Sequence, residues 1–240
     1  MRVDVLGVGF DDVTILQAVE WSRDVINNGG KSYIVTPNPE IVWMARSDEA
    51  LSGALNQAGL VLPDGAGVVL AARILKTPLK ERIPGIDFIA SLLSELSGIG
   101  GSVFLFGAKP GVAEEAGRKL EDEYPGLVIS GVADGYFTDD GHIIERINAS
   151  SPDLLLVCLG APKQELWMTT NINKISARLC AGLGGSLDIF AGNVKRAPAF
   201  FRKLGLEWLY RLAREPRRIG RMIKLPLFLL AVLLERARGK

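Results

Sequence analysis

From Leu154 to Leu159 the chain reads Leu-Leu-Leu-Val-Cys-Leu, without a polar side chain, and Gly160 stops it. So short an apolar run, with no alternation, reads as a strand covered on both faces, the situation of a parallel sheet. The same grammar repeats along the first 195 residues. Runs at Val3–Val8, Ser32–Val35, Leu60–Leu62, Val103–Phe106, Val128–Val132 and Leu179–Leu183 read as strands. Between them lie amphipathic stretches at Val13–Asn28, Glu40–Arg46, Glu49–Ala58, Gly67–Leu75, Ile86–Leu96, Val112–Glu123, Asp140–Ala149 and Lys163–Thr170, which read as helices. Strands separated by helices mean right-handed βαβ units. The expected fold is α/β: a mostly parallel, Rossmann-like sheet with helices on both faces, plus a helical C-terminal appendage. With 240 residues, 48% of them hydrophobic, the chain has the material for such a core and is neither disordered nor fibrous.

Charge divides the chain. Residues 1–194 hold 15 basic and 24 acidic residues, a net of −9, whereas residues 195–240 hold 13 basic and 3 acidic, a net of +10. We therefore expect an α/β core over 1–195 and a basic amphipathic helical appendage over 196–240 that faces something anionic. Arg211, Arg214, Arg218 and Arg221 are spaced to form one stripe on a helix, and clustered guanidinium groups suit a phosphate ligand. Leu225–Leu234 is uncharged and flanked by cations, but it is too short to span a bilayer and Pro226 interrupts it. That pattern fits a helix lying in an anionic membrane interface; a helix packed on the core is the competing reading. Nucleic acid is disfavoured, because the basic residues alternate with aliphatics rather than stacking aromatics. Two cysteines, Cys158 and Cys180, make no disulfide framework, so a reducing compartment is expected, and no secretory signal is visible at Met1–Asp4.

In parallel sheets, ligands bind beyond the carboxyl ends of the strands. Here those ends carry Gly7–Asp12, Thr36-Pro37-Asn38-Pro39, Asp64-Gly65-Ala66-Gly67, Gly107-Ala108-Lys109, Gly160–Glu165 and Gly182–Ser186. Several familiar signatures are missing. There is no phosphate-binding G-x-x-x-x-G-K-[ST], both glycine pairs lack the third glycine of a dinucleotide site, and no D-x-D occurs. The single histidine, His142, lies in a turn and excludes a multi-histidine metal site. The remaining chemistry is that of carboxylates, amides, one lysine, arginines and backbone N–H groups. Asp64, ending an apolar strand before a Gly-Ala-Gly turn, is the leading general-base candidate, and it would equally serve as a helix cap. Thr36 and Asn38 admit the same two readings. Lys163 and Gln164 open a helix where an apolar strand ends, either as ligand groups or as plain helix initiation. Gly184 and Gly185 allow backbone N–H groups close to a ligand, and Asp188 can accept from a uracil N–H or a ribose hydroxyl.

Thr36-Pro37-Asn38-Pro39-Glu40, Asp64-Gly65-Ala66-Gly67, Arg82-Ile83-Pro84-Gly85, Leu105-Phe106-Gly107, Gly160–Glu165, Arg196-Ala197-Pro198 and Glu207–Arg211 followed by Glu215-Pro216-x-Arg218 occur in this order. In that order they resemble the WecG/TagA/CpsF glycosyltransferases over nearly the whole chain. The resemblance implies an inverting transferase with no metal and no cofactor. It would move N-acetylmannosamine from UDP-ManNAc to the 4-hydroxyl of GlcNAc on undecaprenyl diphosphate, as in the wall teichoic acid linkage unit. It implies Asp64, Thr36, Arg82 and Gln164 as catalytic residues. Asn38, Lys163, Gly184, Gly185, Asp188, Arg211, Arg214, Arg218 and Arg221 are then the substrate-binding set. It further implies that the appendage joins the site peripherally at the cytoplasmic face of the membrane, with a homo-oligomer possible in solution. A uronic-acid or other UDP-hexose donor, a soluble nucleotide-dependent oxidoreductase, and a non-catalytic membrane-binding module are the alternatives.

Overall fold

The computed structural model describes residues 1–214 and 219–239; of Lys203, Arg211, Arg221 and Met222 it describes the backbone alone. The chain opens with β1 (Arg2–Val5) and β2 (Val8–Asp11), followed by α1 (Ile15–Asn27), β3 (Ser32–Val35), α2 (Pro39–Ala45), α3 (Glu49–Gln57), β4 (Leu60–Val61), α4 (Ala66–Ile74) and α5 (Gly85–Ser97). Then come β5 (Ser102–Gly107), α6 (Val112–Glu123), β6 (Val128–Ala133), α7 (Asp140–Ser150), β7 (Leu154–Cys158), α8 (Lys163–Asn171), β8 (Leu179–Gly182) and α9 (Ser186–Phe190). Four helices follow: α10 (Ala199–Lys203), α11 (Glu207–Arg214), α12 (Ile219–Met222) and α13 (Lys224–Ala237).

Six strands form one parallel sheet in the order β4-β3-β8-β7-β5-β6. Alternate residues of each strand feed opposite cores, as the period of two requires. Phe104, Phe106, Leu155, Val157 and Cys180 point to a layer with α2, α3, α4, α7, α8 and α13. Val103, Leu105, Leu154, Leu156 and Leu179 point to a layer with α1, α5, α6 and α9. All five residues of β7 are buried, which explains its uninterrupted apolar sequence.

One predicted strand is a different object. Val3–Val8 is part of an antiparallel hairpin that forms its own two-stranded sheet, with Val5 facing Val8 across a two-residue turn. Leu6 and Gly7 both take positive φ, 55° and 88°, the primed geometry that suits tight hairpins. A leucine in the first position hid that turn from the sequence. The hairpin tip lies on the last turn of α3, where Asn56 receives the Gly9 amide and donates to the Gly7 carbonyl.

The second correction concerns Pro226. It falls in the first turn of α13, where no intrahelical N–H is required, so it does not interrupt the helix. Phe228, Ala231 and Val232 on one side of α13 are buried in the first core layer, and Lys224 lies 3.6 Å from Glu40 of α2. Leu227, Leu230, Leu233 and Leu234 on the other side are exposed. Among the described residues no helix is long and apolar enough to cross a membrane.

Candidate active site at the carboxyl edge of the sheet

β3 and β8 are neighbours in the sheet, so their ends bring Thr36 and the Gly182–Gly185 turn together. The Thr36 hydroxyl donates to the Gly182 carbonyl at 3.1 Å. From α8 the Gln164 Oε1 accepts the Gly184 N–H at 2.8 Å, while its Nε2 donates to Glu165 Oε1 at 2.8 Å. Both side chains are buried.

Asp64 follows β4 on the adjacent strand end. Its amide donates to the Pro37 carbonyl at 3.4 Å, and its Oδ2 accepts the Gly85 N–H at 3.5 Å. It does not cap the helix that follows it: the cap position of α4 is Gly65, at φ 92°, with no side-chain hydrogen bond. Close packing holds the loops together. A Cβ on Gly67 would lie 2.6 Å from the Pro39 ring, and one on Gly85 would lie 3.1 Å from Thr36 Oγ1. The Asn38 side chain caps α2 by accepting from the Ile41 amide at 3.1 Å.

The chain beyond residue 195 meets this edge through an ion-pair network. Arg82 Nη2 lies 3.2 Å from Glu207 Oε2. Arg196 forks onto both oxygens of Asp87 at 2.5 and 2.6 Å, and its Nε lies 3.9 Å from Glu207 Oε1. The Asp87 hydrogen bonds, then the charges of Asp87, Glu207 and Asp64, hold the Arg196 guanidinium above its ordinary range against the effect of burial. The turn after α10 rests on the Asp64 loop as well: a Cβ on Gly205, at φ 71°, would lie 2.6 Å from Ala66 Cβ.

Arg196, Asp87 and Glu207, which join the site edge to the later chain, are not among the residues singled out from the sequence. The only signals were the Arg196-Ala197-Pro198 triplet and an acid at the head of an otherwise basic segment. Glu165, fully buried beside Gln164, was missed too, because Lys-Gln-Glu at a helix start reads as exposed.

Lys163 is exposed, donates to the Gly135 carbonyl at 3.2 Å and sits 4.2 Å over the Phe137 ring, so it serves the loop after β6. The Gly7–Asp12 segment is no ligand loop: Asp11 accepts the Val61 amide at 2.9 Å and Asp12 the Lys80 amide at 2.8 Å. Asp188 lies in the first turn of α9, where its charge adds to the burial that pushes the Cys158 thiol up to about 12. Arg214 is exposed and stands 6.0 Å from the Tyr210 ring centroid. Arg218 lies outside the described residues, as do the side chains of Arg211 and Arg221, and the stripe expected of them with Arg214 lies outside with them. Among the described residues, no three His, Cys, Asp or Glu side chains gather as a metal would need.

This arrangement offers a half-buried carboxylate, a threonine hydroxyl, an amide turn at Gly184–Gly185 and two arginines. Such groups suit an anionic ligand whose reacting hydroxyl gives up a proton. A sequence profile described as the glycosyl transferase WecG/TagA/CpsF family matches residues 3–240. The chain is 40% identical over 230 residues to a protein from Staphylococcus aureus strain MRSA252 named N-acetylglucosaminyldiphosphoundecaprenol N-acetyl-beta-D-mannosaminyltransferase. The match covers 95% of this chain and 91% of that protein, and the likenesses to the proteins of the same name from strains MW2 and NCTC 8325 are equal.

Proposed function

Because the chain belongs to the WecG/TagA/CpsF family of glycosyl transferases, we propose that it transfers N-acetylmannosamine from UDP-ManNAc to the 4-hydroxyl of GlcNAc on undecaprenyl diphosphate. The observation that carries this reading is the gathering of Thr36, Asp64, Gln164 and the Gly184 turn at the carboxyl edge of the sheet. Asp64 takes the proton of the acceptor hydroxyl as that oxygen attacks the anomeric carbon. The bond to the departing UDP breaks on the opposite face, so one displacement inverts the centre. Charge developing on the diphosphate needs cations and N–H donors; Arg82 and the Gly185 N–H are the groups at hand, on a turn that Gln164 holds through the Gly184 N–H. In this reading no metal is required.

Residues 196–240 act as a membrane appendage. Among the described residues, ten of the sixteen exposed large hydrophobic side chains lie at or beyond Phe200. That concentration, within a segment of net +9, supports contact with an anionic bilayer that holds the polyprenyl tail of the acceptor. Arg211, Arg214, Arg218 and Arg221 supply cations for the acceptor diphosphate. In solution the same apolar face is open to a second copy, so homo-oligomers are expected there.

The test is a transfer assay with a polyprenyl-diphosphate-GlcNAc analogue, a panel of UDP-sugars and excess chelator. The reading expects turnover with UDP-ManNAc that persists in EDTA. No transfer from UDP-ManNAc, with transfer from another UDP-hexose, would reassign the donor; hydride chemistry with NAD would reject the class.

A further inference from the structure

The strongest unexplained group is Glu165. Its side chain is 1% exposed, and one of its two oxygens, Oε2, is buried with no hydrogen-bond partner among the described residues. An unpaired buried carboxyl oxygen is destabilising compared with an apolar side chain of the same shape, so the residue is not explained by stability. Burial raises the Glu165 pKa, in keeping with that surrounding.

What its other oxygen does is specific. The Gly184 N–H can only donate, so the Gln164 amide must turn its oxygen towards Gly184 and its nitrogen away. That nitrogen meets Glu165 Oε1 at 2.8 Å. Gly182 makes room for that amide, because a Cβ there would stand 3.1 Å from Gln164 Nε2. Remove the acceptor at Glu165 and the Gln164 amide is free to turn, leaving the Gly184 N–H unpaired or paired only part of the time.

We propose that Glu165 is a positioning residue: by accepting from Gln164 Nε2 it locks the amide that holds the Gly184–Gly185 turn at the end of β8, where the sugar nucleotide is read. The proposal rests on the transferase reading above, and it acts through Gln164 rather than through contact with substrate.

The test uses the full chain and two variants, Glu165→Leu and Glu165→Gln. Glu165→Leu removes the acceptor and the unpaired oxygen together. It is expected to keep or raise Tm, to speed hydrogen exchange at the Gly184 amide about tenfold, and to lower kcat/KM for the UDP-sugar by a similar factor, the scale of one hydrogen bond. Glu165→Gln still presents an amide oxygen to Gln164, and is expected to bring exchange and kcat/KM back to within about threefold of the parent chain. Three results would overturn the proposal: exchange at Gly184 unchanged in Glu165→Leu, loss of Tm in step with loss of activity, or no recovery in Glu165→Gln. The exchange measurement needs no substrate. A parent chain without transferase activity would therefore reject the function while the Gly184 readout still decides the role of Glu165.

Discussion

Replacing Asp87 with alanine should loosen the segment beyond residue 195 without unfolding the sheet. Asp87 is the principal partner of Arg196, which offers two guanidinium nitrogens to its two oxygens at 2.5 and 2.6 Å. Exposed ion pairs contribute about 0.2–1 kcal/mol, and hydrogen bonds to charged groups about 1.5–3 kcal/mol. The Arg196 side chain is 23% exposed and that of Asp87 37%, so solvent screens the pair in part and the middle of the combined range applies. Arg196 also keeps Glu207 at 3.9 Å in the variant. The loss is then about 1–2 kcal/mol, or roughly a 5- to 30-fold rise in the undocked population, at tenfold per 1.4 kcal/mol. Hydrogen exchange reads it directly. Amides such as Leu206 and Tyr210, bonded to the Phe201 and Leu206 carbonyls, should exchange faster by that factor. Those of β5 and β7 should not change. High salt should produce part of the same effect in the parent chain. Equal exchange rates over residues 199–214 in the two proteins would refute the reasoning, as would acceleration spread evenly through the sheet.

Asp64→Asn should lower turnover about 10²- to 10⁴-fold while calorimetry finds UDP binding largely kept, because the amide matches the shape but not the basicity. Binding of the full chain to anionic vesicles should weaken with salt without vanishing, and Leu230→Ser with Leu233→Ser should remove much of the salt-insensitive remainder, read by vesicle co-sedimentation. Glu165 makes stability depend on pH. Its folded pKa is raised above the unfolded value by burial, so its favourable contribution is full below the unfolded value and is lost as pH rises through the folded one. The Tm of Glu165→Gln relative to the parent should accordingly increase from about pH 4.5 upward; a difference flat with pH would argue that Glu165 titrates normally.

The parts of this structure that the sequence discloses are those set by local pattern. The unbroken apolar run at β7 requires two covered faces, and Thr36, Asp64 and Gln164 stand where strands stop. The hairpin escaped because its turn uses Leu6-Gly7 in place of an asparagine or aspartate before glycine. The network of Arg82, Asp87, Arg196 and Glu207 escaped for a different reason. Its members are separated by 109 and 125 positions, and charge pairing at such range depends on how α5 and α11 meet. Gln164 was legible as polar at a strand end, but the carboxyl that orients it was not, since adjacent helical residues do not usually share one pocket.

The sheet order has a further consequence. β8 is the last strand to be made, yet it lies between β3 and β7. Until Leu179–Gly182 takes its place, the earlier strands make two half-sheets, β4-β3 and β7-β5-β6, with no ladder bonds between them. Thr36 and Gly182, 146 positions apart, meet only when that gap closes. A nascent chain therefore carries Thr36 and Asp64 for most of its synthesis without an active site, and the reactive edge is assembled by the same event that joins the two half-sheets.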